Sequence, residues 1–193
     1  MLYYTIFRTK WGYFGLAGTE NAVSRTCLPV PHRQVAERQL LLGLDDAGED
    51  VRLNQGFLPT LQERIVAYFE GENIDFITDP PVLLDHATTF GREVLNVCRA
   101  IPFGETRTYR DLAEQVHRPG AARAVGGVMA SNPIPLIIPC HRVLRTDGGL
   151  GGFSAPGGTA TKQKMLEHEQ LISQRHRGGT STPAKWSGRS PGP

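Results

Sequence analysis

The chain has 193 residues, 39% of them hydrophobic and 21% charged, with a formal net charge of +2 and three cysteines. That length suits one moderate domain or two small ones, and no apolar run is long enough to cross a bilayer. An odd number of cysteines without paired spacing argues against a disulfide framework and for a reducing compartment, cytosolic or, in a nucleated cell, nuclear.

The start, Met1-Leu2-Tyr3-Tyr4-Thr5-Ile6-Phe7-Arg8, lacks the charged-then-apolar layout of a secretory signal. Charge is unevenly spread. Residues 1–84 carry 7 basic and 11 acidic side chains, a net −4; residues 85–169 carry 10 and 8, a net +2; residues 170–193 hold four basic and no acidic ones. A basic C-terminal part fits a polyanionic partner, although a solvated surface with a basic tail has the same composition.

In chain order, Leu2 to Phe7 and Tyr13 to Ala17 read as strands joined by a turn at Lys10-Trp11-Gly12. Arg33 to Leu42 has a helical pattern. Thr60-x-x-Glu63 reads as a capping box before a helix that places Leu61, Ile65, Tyr68 and Phe69 on one face and stops at Gly71. Asp79-Pro80-Pro81 is the best linker candidate. A helix from about Thr89 to Ala100 turns Val94, Leu95 and Cys98 inward.

Thr108-x-x-Asp111 caps a short helix through Leu112, Ala113 and Val116, which His117-Arg118-Pro119-Gly120 breaks. A second helix from Ala121 to Ser131 completes a helix-turn-helix pattern. At 3.6 residues per turn, Val125, Val128 and Met129 share one side, and Arg123, Gly126, Gly127 and Ala130 the other. Two glycines inside a helix cost about 1 kcal/mol each relative to alanine, so another backbone should approach closely there. One reading is a helix lying in a minor groove of DNA with Arg123 as a single inserted probe; major-groove reading would need several long polar side chains. The other is a tight helix–helix contact inside the protein.

The stiff run Pro133-Ile134-Pro135-Leu136-Ile137-Ile138 leads into Pro139-Cys140-His141-Arg142-Val143, a thiol beside an imidazole. A cysteine is a strong nucleophile only as its thiolate, which a nearby base or cation makes available. The last helix, about Thr159 to Ile172, sets Met165, Leu166, Glu169 and Ile172 on one face. A carboxylate on a core-facing stripe needs a buried partner. His141 is one candidate, which would give the thiol–imidazole–carboxylate logic of an activated nucleophile; Arg142 or a loop cap is the other. Cys27 and His32, with His86 as a third candidate, fall short of the four ligands of a zinc site, so no metal and no cofactor is expected. Cys98 reads as core.

The ordered set from Phe103 to Glu169 resembles the 6-O-alkylguanine-DNA alkyltransferases, also called methylated-DNA–protein-cysteine methyltransferases. Its pieces are Gly104-Glu105-Thr106, Tyr109, Ala121-Ala122-Arg123-Ala124-Val125-Gly126-Gly127, Met129 and Asn132-Pro133, then Pro139-Cys140-His141-Arg142-Val143, Gly152-Phe153-Ser154, Lys162 and His168-Glu169. Residues 1–85 look like the more variable N-terminal domain of that family.

The resemblance implies a lesion base rotated out of double-stranded DNA into a pocket. Arg123 would fill the space it leaves while Ala124, Gly126, Gly127 and Ala130 face the minor groove. Cys140 would accept the alkyl group, His141 draw off the thiol proton through a water, and Glu169 orient the histidine. Asn132 would brace the turn before the nucleophile, and Tyr109 press on the phosphate and donate to a ring nitrogen. The backbone at Val143 and Ser154, with Pro135 and Phe153, would contact the base. Phe153 stands where tyrosine is frequent, and Ala155-Pro156 look inserted after Ser154.

The whole reads as an α+β N-terminal domain with a small antiparallel sheet (1–84), a mainly α, winged helix-turn-helix-like domain (85–173) and a basic, disordered tail (174–193). The leading function is a monomeric, stoichiometric repair transferase acting on 6-O-methylguanine in DNA. A lesion-binding or regulatory helix-turn-helix module and a Cys140–His141–Glu169 thiol hydrolase are the alternatives.

Overall fold

The structure, a computed structural model, describes residues 1–42, 44 and 50–176. Two compact units emerge. The first comprises Met1–His86 together with Pro133–Ile137, and the second Ala87–Asn132 together with the chain from Ile138 onward.

In the first unit β1 (Leu2–Thr9), β2 (Gly12–Thr19) and β3 (Ala22–Val30) form an antiparallel meander. The short β4 (Val51–Leu53) joins β1 in parallel, so the order is β3-β2-β1-β4 and the expected antiparallel sheet is mixed. Neither β3 nor β4 stands out in the sequence. β3 contains Pro29, which an edge strand tolerates, and β4 is too short to show alternation. The β1–β2 turn needs its glycine: Gly12 has φ +132°, and a Cβ there would meet the Val30 carbonyl oxygen at 2.5 Å.

Helix α1 (Arg33–Leu41) buries Ala36 and Leu40 against Ile6, Ala17, Cys27 and Val30. Helix α2 (Pro59–Glu70) buries Leu61, Ile65, Tyr68 and Phe69, with the Phe69 ring 6.1 Å from Phe14 and 5.2 Å from Trp11. The predicted Thr60/Glu63 capping box does not form. The helix starts two residues earlier, at Pro59 rather than Leu61, and the fixed φ of the proline suits the first turn, with no side-chain cap from Leu58. Gly71, at φ +108°, ends it as expected.

The outer edge of β3 is covered by two segments distant in sequence. Val23 N–H donates to the Pro81 carbonyl (2.9 Å) and Leu83 N–H to the Val23 carbonyl (2.8 Å), while Thr26 N–H donates to the Pro133 carbonyl (3.0 Å). Asp79-Pro80-Pro81, the linker candidate, therefore leads directly into this edge cover, and the division between units falls after His86.

In the second unit α3 (Thr89–Arg99), capped by the Thr88 hydroxyl, buries Val94, Leu95 and Cys98. The Thr108/Asp111 capping box forms in full at α4 (Tyr109–Gln115). Helix α5 (Ala122–Ala130) turns Val125 and Met129 into the core, whereas Val128 is only half-buried. The last helix, α6 (Gly158–His176), runs four residues past the predicted end at Ile172. Residues 174–176, read as the start of the tail, are thus helical, and 177–193 lie outside the described residues. Among the described residues no helix is long and apolar enough to cross a membrane.

Candidate functional site

All the polar residues around Cys140 come from the second unit. The two-residue strands β5 (Arg107–Thr108) and β6 (Val143–Leu144) pair in parallel, Arg107 with Val143 and Thr108 with Leu144. This register sets Tyr109, at the start of α4, beside the strand that leaves the nucleophile. Cys140–Arg142 form one tight 3-10 turn, closed by Arg142 N–H on the Pro139 carbonyl (2.8 Å).

Glu169 of α6 is 1% exposed and is held from three directions. His141 Nε2 lies 2.7 Å from its Oε1. Arg142 grips both oxygens, Nε to Oε2 and Nη2 to Oε1 at 3.0 Å each, and the Gly104 N–H donates to Oε2 at 3.0 Å. The two partners weighed from the sequence are therefore not alternatives, since His141 and Arg142 share the carboxylate. Burial alone would raise the Glu169 carboxyl. His141 and Arg142 outweigh it and hold the group well below the usual carboxylate range. Arg142, itself 2% exposed, also donates to the Ile101 carbonyl (2.6 Å) and lies over the Phe103 ring.

An ionised carboxylate can only accept, so His141 carries its hydrogen on Nε2 and presents Nδ1 as a bare lone pair. Nδ1 has no hydrogen-bonding partner among the described residues. Burial lowers the imidazole pKa, against the pull of Glu169, so the resting ring is neutral and able to take a proton.

Cys140 is 5% exposed, and its sulfur accepts from Asn132 Nδ2 at 3.2 Å. Burial raises its pKa, while Asn132 and the Lys162 ammonium lower it. A resting thiol with the groups that stabilise a thiolate already in place can be activated on demand. Lys162 is fully buried on α6, donates to the Val143 carbonyl at 2.6 Å, and lies 3.4 Å from the Tyr109 hydroxyl. Burial holds its pKa down to about 8. Burial likewise raises the Tyr109 phenol, which keeps it a proton donor. The sequence offers Arg142 as a partner of Glu169 but gives Lys162 no role. The signal for Lys162 is its place one turn before Met165 and Leu166 on the buried face of α6.

The α5 face opposite the core is open. Arg123, Ala124, Gly127 and Ala130 are exposed, and a Cβ built on Gly126 or Gly127 would meet nothing within 4 Å. Among the described residues no element makes the internal helix–helix contact weighed from the sequence. Beside this face runs a groove of about 900 Å³ whose walls include Tyr109, Arg110, Arg123, Arg145, Phe153 and Ser154. Cys140 is not in its wall. Gly151, at φ +69°, lies where a Cβ would come within 2.6 Å of the Tyr109 hydroxyl. Pro135 is half-buried in the segment that belongs to the first unit. The Cys27 sulfur is engaged by Gln39 Oε1 (3.2 Å) and the Leu28 carbonyl (3.4 Å), with burial raising its pKa to about 11. His32 instead starts α1, its carbonyl accepting from the Val35 and Ala36 N–H groups.

Residues 89–171 match the family described as 6-O-methylguanine DNA methyltransferase, DNA binding domain. The methylated-DNA–protein-cysteine methyltransferase of Mus musculus is 51% identical over 43% of this chain, a stretch that spans only 39% of the mouse protein. The protein of the same name from Cricetulus griseus is 33% identical over 97% of this chain and 93% of its own length. Among solved structures, Mycobacterium tuberculosis OGT in complex with DNA superposes with a TM-score of 0.71 at 31% identity, covering 88% of this chain and 94% of that one.

Two outcomes are expected from the buried charges. Arg142→Met strands the Glu169 carboxylate and should cost about 3–5 kcal/mol in denaturant unfolding; adding Glu169→Gln should recover part of that loss, a coupling that a double-mutant cycle reads directly. Lys162, with a pKa of about 8 in the fold against 10.5 when unperturbed, binds its proton less well native than unfolded. Its contribution to stability is complete above pH 10.5 and lost as pH falls through 8. The stability of the wild type relative to Lys162→Met should therefore rise between those two values.

Proposed function

The chain belongs to the methylated-DNA–protein-cysteine methyltransferase family, and from that premise we propose that it is a DNA-repair protein which transfers the methyl group of 6-O-methylguanine in double-stranded DNA to its own Cys140. The observation that carries this reading is the Cys140 thiol, bonded to Asn132 and served by Lys162 and by a His141–Glu169 pair whose Nδ1 is unengaged.

The α5 face supplies the docking surface. Its two glycines meet no side chain of the described protein, so their helix-propensity cost is offset by contact with a partner, here the minor groove. Arg123, exposed and without an ion pair among the described residues, is the side chain that enters the duplex as the lesion base rotates out. Arg110 and Arg145 in the groove wall add phosphate-directed charge.

In the reaction His141 Nδ1 takes the thiol proton through a water, and Glu169 stabilises the imidazolium that results. The thiolate attacks the methyl carbon in line. An S–C bond forms, the C–O bond to guanine breaks, and its electron pair leaves with the base. The Tyr109 phenol neutralises that pair by donating to a ring nitrogen, and the adjacent Lys162 ammonium stabilises the phenolate. The product is a thioether, which water does not cleave, so each molecule acts once. We place the protein as a monomer in a reducing compartment, consistent with its three unpaired buried thiols.

Incubation with a duplex containing 6-O-methylguanine should add about 14 Da to Cys140, once per molecule, in intact-mass measurement. Binding with unchanged mass would leave only a lesion-binding module, and repeated turnover on an ester would indicate a thiol hydrolase. Gly126→Ala and Gly127→Ala should each stabilise the free protein by up to about 1 kcal/mol in thermal unfolding. The same substitutions should weaken duplex binding, and unchanged affinity would remove α5 from the interface.

A further inference from the structure

The loop that carries the chain into the nucleophile is held at both its base and its tip. At the base, Asn132 Nδ2 donates to the Ile138 carbonyl (2.9 Å) and to Cys140 Sγ (3.2 Å), so one amide nitrogen closes the loop and touches the sulfur. At the tip, Thr26 of β3 binds the loop twice. The Thr26 N–H donates to the Pro133 carbonyl (3.0 Å), and the Thr26 hydroxyl to the Pro135 carbonyl (2.7 Å). Next to that second bond, Leu136 is 1% exposed and sits at φ +79°, a left-handed conformation that an L side chain rarely adopts. Such a residue persists only where its surroundings over-determine it. Here burial of Ile134, Leu136 and Ile137 and the two bonds from Thr26 do so.

We propose that Thr26, far from Cys140 in sequence and in the other unit of the chain, is a positioning residue for the transfer reaction: its hydroxyl fixes the strained Pro135–Leu136 turn and thereby keeps the Asn132 amide on the Cys140 sulfur. Both loop ends are set by one amide nitrogen, so a loop free to relax at its tip draws that nitrogen away from Sγ. The alternative role for a threonine at this place is plain β3 edge cover, for which the backbone bond to Pro133 suffices. The hydroxyl bond to Pro135 is the part that edge cover leaves unexplained.

The charged and titratable groups interacting with Cys140 are Lys162 of α6, Tyr109 of α4 and Cys98 of α3, with His141 and Arg142 in its own turn and Glu169 behind them. None is altered by a change at Thr26. Loss of the Asn132 donor removes one of the interactions that favour the thiolate, so the thiol becomes harder to ionise.

The inference rests on the transferase reading, and its test separates the two. The rate of Cys140 alkylation by iodoacetamide is followed against pH by peptide mass for the wild type, Thr26→Val and Thr26→Ser, alongside methyl transfer from a 6-O-methylguanine duplex. Thr26→Val keeps the backbone bond and the side-chain shape but loses the hydroxyl. Its pH midpoint should move upward and its rate at neutral pH fall about fivefold, the worth of one ordinary hydrogen bond. Thr26→Ser should match the wild type in both. A folded Thr26→Val with an unmoved midpoint overturns the proposal, as does a serine variant that shifts as far as valine. If Thr26→Val does not fold, Thr26→Ala carries the same expectation, and failure of both to fold would make Thr26 a stability residue and end the positioning role. A wild type that takes no methyl group from the duplex defeats the functional reading instead, whatever the midpoints show.

Discussion

The carboxylate of Glu169 is the point on which the reactive unit turns. It is buried, ionised and shared among an imidazole and a guanidinium from one tight turn and a backbone amide from a separate stretch of chain. A lone carboxylate in such a place would be driven to its neutral form. The His141 imidazole and the guanidinium fork prevent that, and Arg142 Nη1 ties the arrangement to the Ile101 carbonyl, just past the end of α3. The fixed anion then dictates the tautomer of His141, and the tautomer dictates which nitrogen is available as a base. Orientation, charge and proton inventory in the site all follow from one Arg–Glu pair that never touches the sulfur.

Around the sulfur the balance is different. Arg142 and Glu169 neutralise each other, while the Lys162 ammonium acts on Cys140 and reaches the Tyr109 hydroxyl, and Arg145 also acts on Tyr109. Burial pushes the thiol and the phenol toward their protonated forms and the lysine toward its neutral form. The thiol and the phenol thus rest as proton donors, and of the three only the lysine, at about 8, is brought near a change of state. Sites in which titratable groups are pushed away from their ordinary values by burial and specific partners are where proton and group transfer are expected.

Much of this was legible in the sequence, and the exceptions have physical causes. Helices α3, α4 and α5 follow from their periodicity and, for α4, from the cap at Thr108, because such signals are local. The α2 start lies two residues before the expected one because a proline at the first helical position competes with a capping box for the same assignment, and the proline decides. β3 escaped notice because an edge strand tolerates a proline and its pairing is set by partners far along the chain. Cys140, His141 and Glu169 could be picked out by residue type and spacing. Their meeting depends on the fold, and the role of Arg142 as second holder of Glu169 could not be separated in sequence from a competing reading. The glycines of α5 showed that something approaches closely, and only the structure shows that nothing within the described protein does.

The cover on β3 carries a lesson for anyone dividing this molecule. The strand's outer hydrogen-bonding groups at Val23 and Thr26 are satisfied by residues 81–83 and by a loop drawn from beyond the third helix of the other unit. A fragment ending near His86 would keep the first of these and lose the second. It would expose half a sheet edge as a template for intermolecular pairing, and a recombinant piece of that kind should be insoluble or self-associating although it includes every strand of the sheet.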